Sequence, residues 1–233
     1  MRNSRKNNKI RKTSITPDFT PASKGSVLLE MENTRIICAA SLDGKVPEHA
    51  LNRGTGWLTA EYEMMPYSTQ RRSKRPLIKK DGRSVEIQRL IGRTLRGAVN
   101  LSKMQDVSLC VDCDVIQADG GTRTASITGG YIALRRAINS LLNENILNED
   151  PLVTQVAAVS LGRVDGEILL DLDYSEDSRA EVDLNIVMDG QYNILEIQGT
   201  GEKTAFSTKE LIEMVALAQN GIEELFALQK KYI

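Results

Sequence analysis

With 233 residues, 41% of them hydrophobic and 26% charged, the chain has the composition of an ordinary globular protein, long enough for one large domain or two lobes that share a core. No run approaches the roughly 20 apolar residues of a membrane span, and the basic start MRNSRKNNKIRKTSI lacks the apolar centre of a secretory signal, so a cytoplasmic location without membrane contact is expected. Three cysteines argue against a disulfide framework, and the lone His49 leaves neither a serine–histidine triad with a recognisable motif nor a structural zinc site.

A net charge of −1 hides a segregation. Residues 1–12 hold six basic side chains and no acid. Residues 66–83 hold Arg71, Arg72, Lys74, Arg75, Lys79, Lys80 and Arg83 against Asp81 alone. Such clusters suit a polyanion such as RNA, although a solvated loop and a loose tail would look the same.

In chain order, GSVLLEMENTRIICAASL reads as a hairpin turning at Glu32-Asn33-Thr34. GWLTAEYEMMP alternates as a strand, with Leu58, Ala60, Tyr62 and Met64 on one face and Trp57, Thr59, Glu61 and Glu63 on the other. The basic loop of about residues 66–83 follows, punctuated by Pro66, Pro76 and Gly82. Ser84 then looks like the N-cap of a helix reaching about Lys103, with Val85, Leu90, Ile91, Leu95, Ala98 and Val99 as its apolar stripe. Arg89, Arg93 and Arg96 share one side of it, as a solvated face or a subunit contact.

DVSLCVDCDVIQADGG is a strand that places Cys110 and Cys113 on opposite faces, so this C-x-x-C cannot grip one metal and buried thiols are expected. Gly120-Gly121 ends the strand, and Thr122 opens a long helix with Ile127, Ile132, Leu134, Ala137 and Leu141 buried. Gly129 and Gly130 inside it suggest close approach to another backbone. NENILNEDP is an exit loop. Two hairpins come next, turning at Asp165-Gly166 and Asp189-Gly190. A capping box, Ser207 to Glu210, starts a last helix that presents Leu211, Ile212, Val215, Ala218, Ile222, Leu225 and Phe226. This order predicts an α+β fold of mixed, largely antiparallel sheets with helices packed on one side, in a single domain spanning residues 1–233.

The stretch QADGGTRTASITGG carries the clearest chemistry. A glycine pair entering a helix turns backbone N–H groups toward a ligand, Thr122 adds a hydroxyl, and Arg123 adds a planar fork for phosphate oxygens. It is a cradle for one phosphate and not a nucleotide P-loop, because G-x-x-x-x-G-K-S/T occurs nowhere. Arg83 stands at the other helix start; if the two starts converge, Arg83 and Arg123 clasp one anion. In LDLDYSEDSRAEVDLNIV, Asp171 and Asp173 share a strand face, Asp177 lies in a loop and Asp183 on the next strand. Asp177 and Asp183 could meet over magnesium, or one could act as a general acid; a charged hairpin edge is the bland alternative.

GWLTAEYEMMP, DGRSVEIQRLIGR, DCDVIQADGGTRTASITGG, LLDLDYSEDSRAEVDLNIVM and EIQGTGE together resemble the ribonuclease PH family, in its order and spacing over essentially the whole chain. The resemblance implies the fold shared with polynucleotide phosphorylase and exosome core subunits, and a hexamer built as a trimer of dimers. It implies phosphorolytic trimming of transfer RNA precursors from the 3′ end, with inorganic phosphate as co-substrate and magnesium or a similar divalent cation. By the same resemblance, phosphate falls to Arg83, Gly121, Thr122 and Arg123, catalysis and metal to Asp177 and Asp183, and RNA to Arg71, Arg72, Lys74 and Arg75. Three departures stand out: Met1-Arg2-Asn3-Ser4-Arg5 is one residue short of the family's usual start, Glu63 replaces a glycine, and Gly201-Glu202-Lys203 replaces A-E-G.

Overall fold

The computed structural model describes residue 2 and residues 5–75 and 81–233. Met1, Asn3, Ser4, and residues 76–80 with Pro76, Lys79 and Lys80 of the basic loop, lie outside the described residues.

The first half builds a five-stranded sheet in the order β1 (Thr13–Pro17), β2 (Gly25–Met31), β3 (Thr34–Leu42), β5 (Ser108–Gln117), β4 (Trp57–Met64). All its pairings are antiparallel except β4 with β5, which run parallel and are joined through the basic loop and α2 (Gly82–Arg96). A short helix, α1 (Glu48–Leu51), precedes β4. The second half is an antiparallel sheet in the order β7 (Glu167–Leu170), β6 (Val156–Val164), β8 (Val182–Asp189), β9 (Ile194–Thr200). One helical turn, α4 (Tyr174–Asp177), links β7 to β8, and α5 (Thr208–Gln229) closes the chain.

The expected α+β class with mixed, largely antiparallel sheets holds. Helices α2 and α3 (Thr122–Asn143) cover one side of the five-stranded sheet, and α3 also lies against β6 of the other sheet. Strand β6 is buried on both faces. Val156 and Ala158 join the core around α3, while Ala157, Val159 and Leu161 join the core beneath α5. That double role explains why β6 reads as a nearly continuous apolar run and why α3 is buried on most of its circumference, Thr124, Ser126 and Thr128 included. The Thr128 hydroxyl on α3 accepts from Ala158 N at 3.2 Å, fixing the helix to the strand. At Gly25 strand β2 runs close against α3: a Cβ there would lie 2.3 Å from Ala137 N.

Several local expectations are corrected. The N-cap of α2 is Asp81, whose carboxylate accepts from Ser84 N at 2.8 Å, and the helix stops at Arg96 rather than near Lys103. Ile87 is buried in its stripe and Val85 is not. Gly129 and Gly130 make room for side chains, Cys38 Sγ and Val111, rather than for a backbone. Cys38 and Cys113 are in register across β3 and β5 and both buried, but Cys110 is half-exposed on the opposite face. Contact with Cys38, with burial added, holds the Cys113 thiol well above the ordinary thiol range. Ile212 faces solvent and Met214 takes its place in the core. Asp165 and Gly166 both have positive φ and form the expected two-residue turn. Asp189-Gly190 does not: the loop runs to Asn193, with Tyr192 left-handed and the Asp189 carboxylate accepting from Gln191 N and Asn193 N.

The basic N-terminal segment is pinned to the second half of the chain by its arginines. Arg11 is 1% exposed and pairs with Asp171 at 2.7 Å; Arg5 reaches both Asp171 and Glu176, and Arg2 reaches Glu176. Arg89 stays exposed on α2, Arg93 pairs with Glu196, and Arg96 stacks over Trp57.

Candidate active site

Parallel pairing of β4 with β5 puts the C-terminal ends of both strands at one edge of the sheet, and each strand leads into the loop before a helix. Residues 65–68 after β4 and Ala118 after β5 are stitched together by Met65 N donating to Val115 O and Ala118 N to Ser68 O. The starts of α2 and α3 therefore open on the same cleft. Arg83 stands in the first turn of α2, and Thr122 and Arg123 in the first turn of α3.

The α3 start opens on two glycines. Gly120 and Gly121 are both left-handed, with φ of 75° and 63°. A Cβ on Gly120 would sit 2.5 Å from Leu172 O, and one on Gly121 would sit 2.8 Å from Arg11 Nη2, so backbone conformation and space both require glycine. No side chain caps this helix, so its first N–H groups have no side-chain acceptor, and Gly121, Thr122 and Arg123 line the cleft. The Thr122 hydroxyl lies 2.9 Å from the buried Tyr62 hydroxyl. Burial pushes the Tyr62 phenol up, while the Thr122 hydrogen bond and the charges of Arg83 and Arg123 pull the other way. Arg123 Nη1 donates to Gln198 Oε1 at 2.9 Å, and Gln198 Nε2 donates to Glu86 Oε1 at 3.0 Å, so α3, β9 and α2 are tied together at the rim.

The acids come from the other sheet. Asp177 is the last residue of α4 rather than a loop residue, and Asp173 is the N-cap of that turn, in a capping box with Glu176. Asp171 and Asp173 share no strand face: β7 ends at Leu170, Asp171 is left-handed with φ of 55°, and its carboxylate is taken by Arg11. Asp183 lies on β8 and accepts from Asn185 Nδ2 at 3.3 Å. Asp177 and Asp183 both line the cleft with the arginines. Burial raises the Asp177 carboxyl against the pull of Arg83 and Arg123. Burial, then the charge of Asp177, pushes Asp183 up to about 6.

Of the basic loop, Arg71 lines the cleft; Arg72, Lys74 and Arg75 are exposed beyond it. One of the departures, Gly201-Glu202-Lys203, also meets the cleft. Glu202 and Lys203 line the cleft, and the Lys203 ammonium donates to Arg179 O at 2.7 Å. Tyr62, Glu86, Gln198, Asn185 and Arg11 were not among the site residues expected from the sequence. Asn185 carried a signal as a neighbour of Asp183 on the same strand face, and Glu86 and Gln198 lie inside the motifs DGRSVEIQRLIGR and EIQGTGE.

Residues 9–138 match domain 1 of the 3′ exoribonuclease family and residues 154–221 match domain 2. The chain is 51% identical over 232 residues to ribonuclease PH of Neisseria meningitidis, covering 99% of this chain and 96% of that protein. The chain belongs to the ribonuclease PH family of 3′ exoribonucleases. Its activity is phosphate-dependent removal of nucleotides from RNA 3′ ends. Ribonuclease PH of Corynebacterium glutamicum is 50% identical over 228 residues, covering 97% of this chain and 93% of that one. The fold is also that of an Archaeoglobus fulgidus exosome structure with RNA bound to the active site. There the TM-score is 0.79 at 22% identity, over 98% of this chain and 91% of that one. No helix among the described residues is long and apolar enough to cross a membrane.

Proposed function

We propose that Arg83, Thr122 and Arg123, with the N–H groups after Gly121, hold inorganic phosphate, and that one of its oxygens attacks the last phosphodiester phosphorus of an RNA strand. The bond to the 3′-oxygen breaks, the RNA is one nucleotide shorter, and the product is a nucleoside 5′-diphosphate. The two arginines offset charge on the transferring phosphoryl group. One observation carries this reading: two arginines forty residues apart in sequence open on one cleft beside a carboxylate pair.

The carboxylate pair suits a divalent cation. Asp177 and Asp183 are half-buried, and the charge of one disfavours ionisation of the other, a cost that a bound cation removes. Asp177 and Asp183 would hold the ion, which when bound supplies positive charge beside the leaving oxygen. Among the described residues no group of three or more His, Cys, Asp or Glu could hold a metal, so water and phosphate oxygens would complete the shell, as magnesium commonly requires. In a second reading, favoured by its carboxyl near 6, Asp183 protonates the leaving 3′-oxygen.

Arg71, Arg72, Lys74 and Arg75 hold the incoming strand by its phosphates. The substrates are transfer RNA precursors and other RNA 3′ ends in the cytoplasm, and the working assembly is a homohexamer, a trimer of dimers.

End-labelled RNA incubated with and without phosphate, followed by chromatography of the products, tests this. Nucleoside diphosphates released only with phosphate are the expected result. Monophosphates without phosphate would mean hydrolysis by water, and intact RNA in both arms would mean an RNA-binding subunit without activity.

A further inference from the structure

Beneath the phosphate loop lies a buried cation that the chemistry above does not use. Arg11 Nη1 donates to Asp119 O at 2.5 Å and to Thr34 Oγ1 at 3.2 Å, and Nη2 donates to Gly120 O at 3.3 Å. The other side of the same guanidinium, with Arg11 N, is taken by Asp171: Nε to Oδ2 at 3.0 Å, Nη2 to Oδ1 at 2.7 Å, and backbone N to Oδ2 at 2.7 Å. Asp171 begins the segment that leads to Asp177. The two segments touch elsewhere as well: Asp119 Oδ1 accepts from Tyr174 N at 3.3 Å, and Gly120 packs on Leu172 O.

We infer that Arg11 is a positioning residue for phosphate, one that locks the 119–121 loop in its left-handed form and in register with the turn bearing Asp177. This rests on the phosphate reading above. Arg11 lies below the loop and does not reach the cleft; it acts through the carbonyls of Asp119 and Gly120. Arg2, paired to Glu176, and Arg5, paired to Glu176 and Asp171, fasten the same turn. The basic N-terminus is thus a strap joining the anion cradle to the acidic wall.

Two variants test the inference. Arg11→Lys keeps a charge beside Asp171, but one ammonium cannot serve Asp119 O, Gly120 O and Thr34 together. The pair Arg11→Met with Asp171→Asn removes both charges at once, leaving no buried ion uncompensated. In each, the phosphate KM should rise roughly tenfold or more, while the RNA KM stays near that of the parent. A purely structural role would lower the amount of folded enzyme, and so apparent kcat, without moving the phosphate KM. An unchanged phosphate KM in whichever variant folds, or failure of both to fold, overturns the inference. Parent enzyme that releases monophosphates without phosphate would instead sink the reading on which it rests.

Discussion

Arg83→Ala should abolish useful phosphorolysis while leaving the protein folded. Arg83 is exposed on the first turn of α2, so its truncation opens no cavity, and alanine is a good helix former. The stability change should stay within about 0.5 kcal/mol. The catalytic effect is of another order on the proposed mechanism, in which Arg83 is a charged fork for the attacking phosphate and the transferring phosphoryl group. Removing one preorganised donor to developing charge typically costs roughly 10²–10³ in rate. Arg83→Lys should recover part of it, as a point charge without the two-pronged geometry. Steady-state release of nucleoside diphosphate, with unfolding followed by circular dichroism, measures both sides. A folded Arg83→Ala enzyme working within about threefold of the parent would remove Arg83 from the phosphate site.

The second large effect is at Asp183, where activity and stability should move in opposite directions. Asp183→Asn removes a cation ligand or a proton donor, and either loss should slow turnover roughly a hundredfold or more. The same change relieves the native state of a carboxylate that is costly to ionise. The Asp183 carboxyl is raised from 3.8 to about 6 in the folded cation-free protein. Below the lower value it is protonated in both folded and unfolded chains and costs nothing. As pH rises the unfolded chain gives up the proton first, so the penalty grows and is complete above about 6. The asparagine variant should therefore melt roughly 2–6 °C higher at neutral pH. Its advantage should vanish when both proteins are compared near pH 4. A variant melting below the parent at pH 7 without cation would show that Asp183 is not strained by its surroundings.

Local patterns were legible where one segment decides its own structure. The 3.6-residue period of α3, the period-two faces of β4 and β5, the Asp165-Gly166 turn and the Ser207 capping box all follow from neighbours in sequence. Gly120-Gly121 was readable as a cradle because a glycine pair between a strand and a helix frees backbone N–H groups, with Thr122 and Arg123 following at once. Long-range partners were not legible. Asp171 looked like the twin of Asp173 on a strand, yet its carboxylate belongs to Arg11, 160 residues away. The N-terminal basic cluster was left open between a polyanion contact and a loose tail, because charge counts cannot reveal the buried acids, Asp171 and Glu176, that take Arg2, Arg5 and Arg11. Asp189-Gly190 failed as a tight turn because the Asp189 side chain captures two backbone N–H groups further on and stabilises a longer loop. The bond from Tyr62 to Thr122 and the chain from Arg123 through Gln198 to Glu86 depend on the packing of four separate elements, β4, α3, β9 and α2. Their residue types are ordinary, and only the fold makes them neighbours.

The decisive measurement is the fate of heavy-oxygen-labelled phosphate in a reaction with unlabelled RNA in ordinary water. If phosphate bound by Arg83, Thr122 and Arg123 is the nucleophile, mass spectrometry will find the label in the terminal phosphoryl group of every released nucleoside diphosphate. Unlabelled products, or nucleoside monophosphates whose new oxygen comes from water, would contradict the account.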